Sequence, residues 1–284
     1  MPQQTGDRVK TDRRDASKLA RYLRSGDLTA VYVPDEIDEA MRDLVRARSD
    51  AKKALHTSRQ QLNHFFLRHD RRFDGKSRWT KVHFEWLRKQ HFEHPAQECV
   101  LADYLRAVET AGERIRRYDN DLATLVPQWK LCPLVTALEA LRGVSLVAAT
   151  VIVAEFGDLR RFESASQLMA YIGLVPSEHS SGKSQRKGRI TRTGNGHARS
   201  VIVECAWSYR FPPRMSPEIS KRQEGVSAAV QQIAWRAQQR LYRKYTTLLG
   251  RRKNIQQTVT AVARELVGFI WSIGQQPELL ATAR

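Results

Sequence analysis

Residues 35–68 read DEIDEAMRDLVRARSDAKKALHTSRQQLNHFFLR. Met41, Leu44, Val45, Ala51, Leu55, Leu62 and Phe65 recur mostly at intervals of three, four or seven, the spacing that lines side chains along one face of an α-helix. Asp35 and Glu36 open the stretch, and it runs to about Arg68. Arg42, Arg46, Arg48, Lys52, Lys53 and Arg59 stand between the apolar positions; such cations form either a solvated face or one turned toward nucleic acid. A second run of the same character spans about Ala96 to Leu125, with Val100, Leu101, Tyr104, Leu105, Val108, Ile115, Leu122 and Leu125 at helical spacing and Pro127 as its stop. Two helices this long predict an antiparallel helical hairpin or coiled coil over residues 36–130, a stalk between flanking parts of the chain. Residues 70–96 between them are rich in His, Arg and aromatics, with Lys81–Gln90 read as a short helix and Trp79, Phe84 and Trp86 as packing residues, ahead of base stacking. The fold class expected is mainly α.

Outward from the hairpin, the balance of charge narrows the partner. Among 284 residues, 48 Lys and Arg stand against 30 Asp and Glu, a formal net charge of +18. That excess points to a polyanion, with nucleic acid ahead of a membrane surface, because no segment sets its cations opposite a Trp or Leu face. No apolar run reaches about 18 residues, so no membrane span is expected, and the amino terminus lacks the hydrophobic core of a secretory signal. Cys99, Cys132 and Cys205 lie far apart without CxxC spacing and read as reduced, partly buried thiols of a cytoplasmic protein. His91 and His94, three apart and followed by Pro95, lack further ligands for a zinc site.

Toward the amino terminus, residues 7–26 pass from polar residues into a helical pattern with Leu19, Ala20 and Leu23 on one face and Gly26 at its end. Asp12 and Asp15 are three apart, so in a first helical turn their carboxylates project from one side. Two readings stand: Thr11 or Asp12 caps the helix while Asp15 meets its positive end, or the two carboxylates share a divalent cation such as Mg2+. Leu28–Val33 follows as a short strand candidate closed by Pro34.

Toward the carboxyl terminus, residues 134–157 give an apolar helix, a glycine turn and a second apolar helix, with Arg142, Gly143, Val144 and Ser145 at the turn. The arrangement resembles a helix-hairpin-helix, whose turn offers backbone N–H groups to phosphate; a buried helical hairpin is the other reading. Residues 171–199, YIGLVPSEHSSGKSQRKGRITRTGNGHAR, then bring Ser180 and Ser181 before Gly182, followed by Lys183, Arg186, Lys187, Arg189, Arg192 and Arg199. Glycines at 182, 188, 194 and 196 allow close approach of the backbone to a ligand, so a polyanion can lie along a segment with a hydroxyl beside it. Read alone, the serine is equally a turn residue and the cations a solvated face. Beyond Arg199, a buried helix, a Pro-rich break over Phe211–Pro217 and two further helices between about Gly225 and Ile273 complete the chain.

Gly173, Leu174, Pro176, Ser181, Gly182, Arg189, Ile190, Thr191, Arg192, Gly194, Asn195 and Arg199, in that order, resemble the C-terminal transposase domain of the DEDD-type insertion-sequence transposases, some of which are guided by a bridge RNA. Lys10, Thr11, Asp12, Asp15 and Ala16 resemble the segment carrying the last two acidic residues of that family's RuvC-like domain. The resemblance implies Ser181 as nucleophile and Asp12 and Asp15 as Mg2+ ligands. It implies nucleic-acid contacts from Lys10, Gly143, Lys183, Arg186, Lys187, Arg189, Arg192, Asn195 and Arg199. It also implies DNA, a guide RNA and further copies of the chain as partners. The family's first Asp and its Glu lie on upstream strands, whereas eleven residues precede Asp12 here. The expectation is therefore an amino-terminally truncated chain: a RuvC-like remnant over residues 1–35, the hairpin over 36–130 and a transposase domain over 131–284. The function expected is strand cleavage and rejoining by a DNA transposase or recombinase. The rivals are a noncatalytic nucleic-acid-binding remnant and a helical scaffold kept soluble by its charge.

Overall fold

A computed structural model describes residues 11–28, 33–178 and 187–279, and the chain divides into two compact units, residues 1–35 and 36–284. In the first, α1 (Asp12–Ser25) starts where Thr11, in extended backbone, accepts a hydrogen bond from the Arg14 N–H through its Oγ1 at 3.4 Å. Thr11, not Asp12, is therefore the cap. The helix stops at Gly26, whose left-handed φ of 75° lets the last turn close. None of α1's residues is buried, and Leu19 and Leu23 are exposed. Most of the expected strand over Leu28–Val33, residues 29–32, lies outside the described residues.

The second unit opens with the hairpin. Helix α2 (Glu36–Arg68), about 50 Å long at 1.5 Å per residue, packs along α4 (Pro95–Leu125), with α3 (Lys81–Arg88) between them in sequence. Leu62, Phe65 and Phe66 near the end of α2 meet Leu101 and Val108 near the start of α4, while Met41 and Val45 share a cluster with Leu122. The pair is therefore antiparallel, and Arg48 pairs with Asp119 across it at 2.5 Å. The far end is roofed by Trp79, Phe84, Trp86 and Phe92, packed on Leu87 and the two phenylalanines of α2. These rings pack against a small separate core; for Trp79, Phe84 and Trp86 that is the packing role expected, while Phe92 and the separateness of the core were not foreseen.

A 3-10 turn over Val126–Gln128, holding Pro127, leads into α5 (Cys132–Glu139) and α6 (Leu146–Phe156). Every residue of α6 from Ala149 to Phe156 is buried, the state expected of a helix apolar all round. After it come α7 (Ala165–Tyr171), a two-stranded antiparallel ribbon of β1 (Pro176–Glu178) and β2 (Lys187–Ile190), α8 (Gly196–Ala206), which packs on α6, and α9 (Pro217–Gln223), which packs on α5. The chain finishes with α10 (Ala228–Gly250) and α11 (Ile255–Gly274), a packed pair whose second member also touches α5, α7 and α8. The ribbon, α7 and α9 have no counterpart in the sequence reading, and α3 ends at Arg88, two residues before Gln90. The three cysteines are free, but only Cys132 is partly buried: Cys99 is exposed and Cys205 buried. No helix among the described residues is long and apolar enough to cross a membrane.

Candidate functional site

The glycine-bearing segment is organised by close backbone approach. Gly173 and Gly194 both have positive φ, 65° and 73°. A β-carbon on Gly194 would collide with the carbonyl oxygen of Tyr171, and one on Gly173 with that of Thr193. Residues 171–174 and 192–194 thus interlock as only glycines allow. The Thr191 N–H donates to Val175 O at 2.9 Å and the Arg192 N–H to Gly173 O at 3.2 Å, continuing the ribbon in which Pro176 faces Ile190 and Glu178 faces Lys187. Ser181, Lys183 and Arg186 belong to the stretch between the two strands, residues 179–186, which lies outside the described residues, as does Lys10.

Behind the segment sits a carboxylate that the sequence reading did not single out. Glu155, on α6, is 2% exposed. Its Oε1 accepts from Arg46 Nε at 2.9 Å and faces His197 Nδ1 at 2.9 Å; its Oε2 accepts from Arg46 Nη2 at 3.0 Å and Asn195 Nδ2 at 2.6 Å. A carboxylate has about four lone-pair positions, and four nitrogens fill them. Burial alone would push the Glu155 carboxyl up; the hydrogen bonds from His197, Arg46 and Asn195 and the charge of Arg46 outweigh it and bring the pKa down to about 2. His197, in the first turn of α8, keeps its Nδ1 proton toward Glu155, so that in the neutral ring Nε2 accepts from Ser49 Oγ at 2.7 Å. The order hydroxyl, imidazole, carboxylate is that of an activated serine. Here, however, the carboxylate's charge is met by Arg46, and Ser49 stands in the middle of α2. The chemistry that fits is a clamp: α2, α6 and the start of α8 are tied through one buried anion, which sets the position of residues 192–197.

The sequence-predicted cations divide into two sorts. Arg189 and Arg192 are exposed, and Arg192 carries a positive φ of 56°. Arg199 instead turns inward, donating through Nη1 to Ile172 O at 2.7 Å and Thr193 O at 3.1 Å. Asn195 caps α8 by accepting from the Ala198 N–H at 3.0 Å while it holds Glu155. In this structure both work on the scaffold of the segment. Gly143, with φ 82°, lies at the turn between α5 and α6, where a β-carbon would come within 2.5 Å of Ser208 Oγ and 2.6 Å of Cys205 O. The glycine is needed there for packing. The neighbouring Arg142 donates to the carbonyls of Phe211 and Pro212, and Arg222 to that of Val144.

Asp12 and Asp15 occupy the first turn of α1, Asp12 exposed and Asp15 partly buried. Carboxylate oxygens one turn apart are donors of the kind Mg2+ takes, and the two residues fit as part of a ligand set completed by water or phosphate oxygens. Among the described residues no group of three or more His, Cys, Asp or Glu side chains is placed to share a metal ion.

The missed residues had a partial signal: Glu155 is the one acidic residue in LVAATVIVAEF, and a carboxylate in a helix buried all round demands a partner. Nothing in the sequence points from it to Arg46 or His197.

Comparison with known proteins bears on the whole chain. Residues 135–221 match the model of the transposase IS116/IS110/IS902 family, and residues 2–69 match a model of DEDD transposases of the IS110 type. A protein of Sinorhizobium fredii whose name describes it as a transposase, y4qE, is 49% identical over 97% of this chain and 67% of its own length. The transposase for insertion sequence element IS1533 of Leptospira borgpetersenii is 29% identical over 90% of this chain and 75% of its own. The transposase for insertion sequence element IS1111A of Coxiella burnetii is 30% identical over 38% of this chain and 28% of its own. With two family models matched in chain order and a relative of that identity and extent, the chain belongs to the IS110 type of insertion-sequence transposases.

Proposed function

We propose that this chain cuts and rejoins DNA strands for an insertion sequence, with Ser181 as nucleophile. The observation that carries the reading is the family match over residues 135–221, which contains position 181 inside a run of six Lys and Arg without an acidic residue between Lys183 and Arg199. The serine Oγ attacks a backbone phosphorus and loses its proton; the bond from phosphorus to the 3′ oxygen breaks, and that oxygen leaves as a 3′ hydroxyl. The phosphate stays on the serine as an ester, so a 3′ hydroxyl can reverse the step and join a new strand. Arg189 and Arg192, exposed at and just after β2, supply positive charge to the phosphate oxygens. A Mg2+ ion held with the help of Asp12 and Asp15 would supply Lewis-acid stabilisation of the same charge. Ser181 and the two carboxylates are far apart in the sequence, so this reading requires them to act together on one phosphate, within one chain or between copies. The partners of this reading are DNA, a guide RNA and further copies of the chain, in the cytoplasm; the net charge of +18 supports the first two.

Incubation with DNA followed by denaturing electrophoresis tests the mechanism. A covalent protein–DNA adduct is expected, lost in Ser181→Ala, and its formation should depend on Mg2+ in a way that Asp12→Asn with Asp15→Asn removes. If the adduct persists in Ser181→Ala, the serine mechanism is wrong. DNA binding that never yields an adduct returns the chain to the class of noncatalytic nucleic-acid-binding proteins.

A further inference from the structure

The helical pair α10 and α11 lies beyond the residues that match the transposase model, and its charge pattern is one-sided. From Val226 to Arg264 there is no Asp or Glu, while Lys and Arg number eight. Val230, Ala234, Ala237, Leu241 and Tyr245 bury one face of α10. Arg236, Arg240 and Arg243 stand on the exposed side. Glu265 of α11 meets two of the cations, Arg240 at 3.0 Å and Lys244 at 3.1 Å. Arg236, Arg243, Arg251, Arg252 and Lys253 are exposed and have no acidic partner among the described residues.

The turn after α10 concentrates the effect. The Lys253 N–H donates to Leu248 O and the Arg252 N–H to Leu249 O, the pattern of a Schellman motif, whose left-handed position is usually glycine. Here that position is Arg252, with φ 55°, a conformation that costs an L residue on the order of 1 kcal/mol. The C-terminal dipole of α10 favours cations nearby. The same three residues also stand directly before α11, whose N-terminal dipole disfavours them. Helix stability therefore does not account for arginine in a glycine position with two further cations beside it.

We infer that the exposed face of α10 and the α10–α11 turn form a sequence-independent contact for duplex DNA, gripping its phosphates. Arg236, Arg243 and Arg251 span about 22 Å along the helix at 1.5 Å per residue, a fixed line of charge suited to a stiff duplex carrying a phosphate charge per ~1.7 Å of axis. Single strands are usually held on aromatic platforms; on this helix Trp235 is 37% exposed and Tyr242 half-buried, and the exposed side also carries the cations. The inference rests on the DNA-directed reading above, yet it needs no chemistry at Ser181.

The test is anisotropy titration of the full chain with a labelled 30-base-pair duplex of arbitrary sequence over a range of NaCl concentrations. The variant Arg251→Gln, Arg252→Gly, Lys253→Gln removes three charges and eases the left-handed turn. A second variant, Arg236→Gln with Arg243→Gln, removes two from the helix face. A control, Arg106→Gln, Arg116→Gln, Arg117→Gln, removes three exposed charges from α4. Each lost phosphate contact lowers the slope of log K against log salt by ~0.9, so the triple variant should lose about 2.7 and the double variant about 1.8. For curves that converge at 1 M salt, the triple variant should bind several hundred-fold more weakly at 0.1 M on the order of that slope, with the control nearly unchanged. Equal loss in variant and control, no loss in either variant, or loss confined to a single-stranded RNA probe overturns the inference. Adduct formation through Ser181 is read separately, so either proposal can fail alone.

Discussion

Replacing Glu155 by Gln keeps the shape of the buried side chain and removes its charge. In the wild type, burial raises the carboxyl's pKa, but the hydrogen bonds from His197, Arg46 and Asn195 and the charge of Arg46 outweigh it and bring it down to about 2 against an ordinary 4.5. At 1.36 kcal/mol for each tenfold step in proton affinity, that difference corresponds to about 3 kcal/mol of folding stability. The Arg46 side chain is 51% exposed, so part of the pairing is screened by water, and a loss of about 2–3 kcal/mol is expected in Glu155→Gln. The sign follows from the depressed folded pKa. The contribution is fully present above about 4.5 and is lost as pH falls through about 2. Urea denaturation of wild type and variant, at pH 7 and at steps down through pH 3, measures both quantities. The gap between the two proteins should be widest at pH 7 and narrow steadily below 4.5. A gap that stays constant with pH would mean that Glu155 acts through packing alone and would refute the charge clamp.

The backbone interlock makes its own prediction: Gly194→Ala meets the Tyr171 carbonyl at a positive φ and should cost at least ~2 kcal/mol in denaturant unfolding, where a cost below 1 would show that the two backbones are not in contact. Burial pushes the Cys205 thiol up to about 12, so iodoacetamide at pH 8 should label the exposed Cys99 in the native protein and reach Cys205 only on unfolding; mass spectrometry showing equal rates would contradict the buried position.

The elements legible in the sequence are those long enough for periodicity to declare itself. Helices α2 and α4 run for 33 and 31 residues, and the arithmetic of three, four and seven found both to within about a residue at each end. Their antiparallel pairing followed from length and connection. At α1 the cap residues Thr11 and Gly26 carried the boundaries, because each has a specific backbone task. The ribbon escaped because KGRI and PSE are short and polar, without the alternation that marks a half-buried strand. Helix α7 has only seven residues, too few for a helical period to show, and α9 begins on Pro217, which reads more readily as a break than as a first-turn residue. At the candidate site the sequence showed charge and glycine, whereas the roles proposed for Asp12, Asp15 and Ser181 came from resemblance. The clamp was illegible because Arg46 and Glu155 are 109 residues apart, and only the packing of α2 on α6 makes them neighbours.

That clamp separates the two things the chain is proposed to do. Gripping phosphates is long-ranged and tolerant of position: on the readings proposed above, exposed cations such as Arg189 and Arg251 would attract DNA whether or not the backbone beneath them is fixed. Displacement at phosphorus is not tolerant, since a nucleophile misplaced by about 1 Å can lose on the order of 100-fold in rate. Residues 192–197 come just after β2, the strand that follows position 181 in the sequence, and they are fixed by Glu155 through Asn195 and His197 and by Arg199 through Ile172 and Thr193. Weakening the clamp should therefore lower the yield of serine adduct while leaving affinity for duplex DNA nearly intact. A variant at position 155 that lost both in proportion would be unfolding, and one that lost neither would show that the clamp does not position the serine at all.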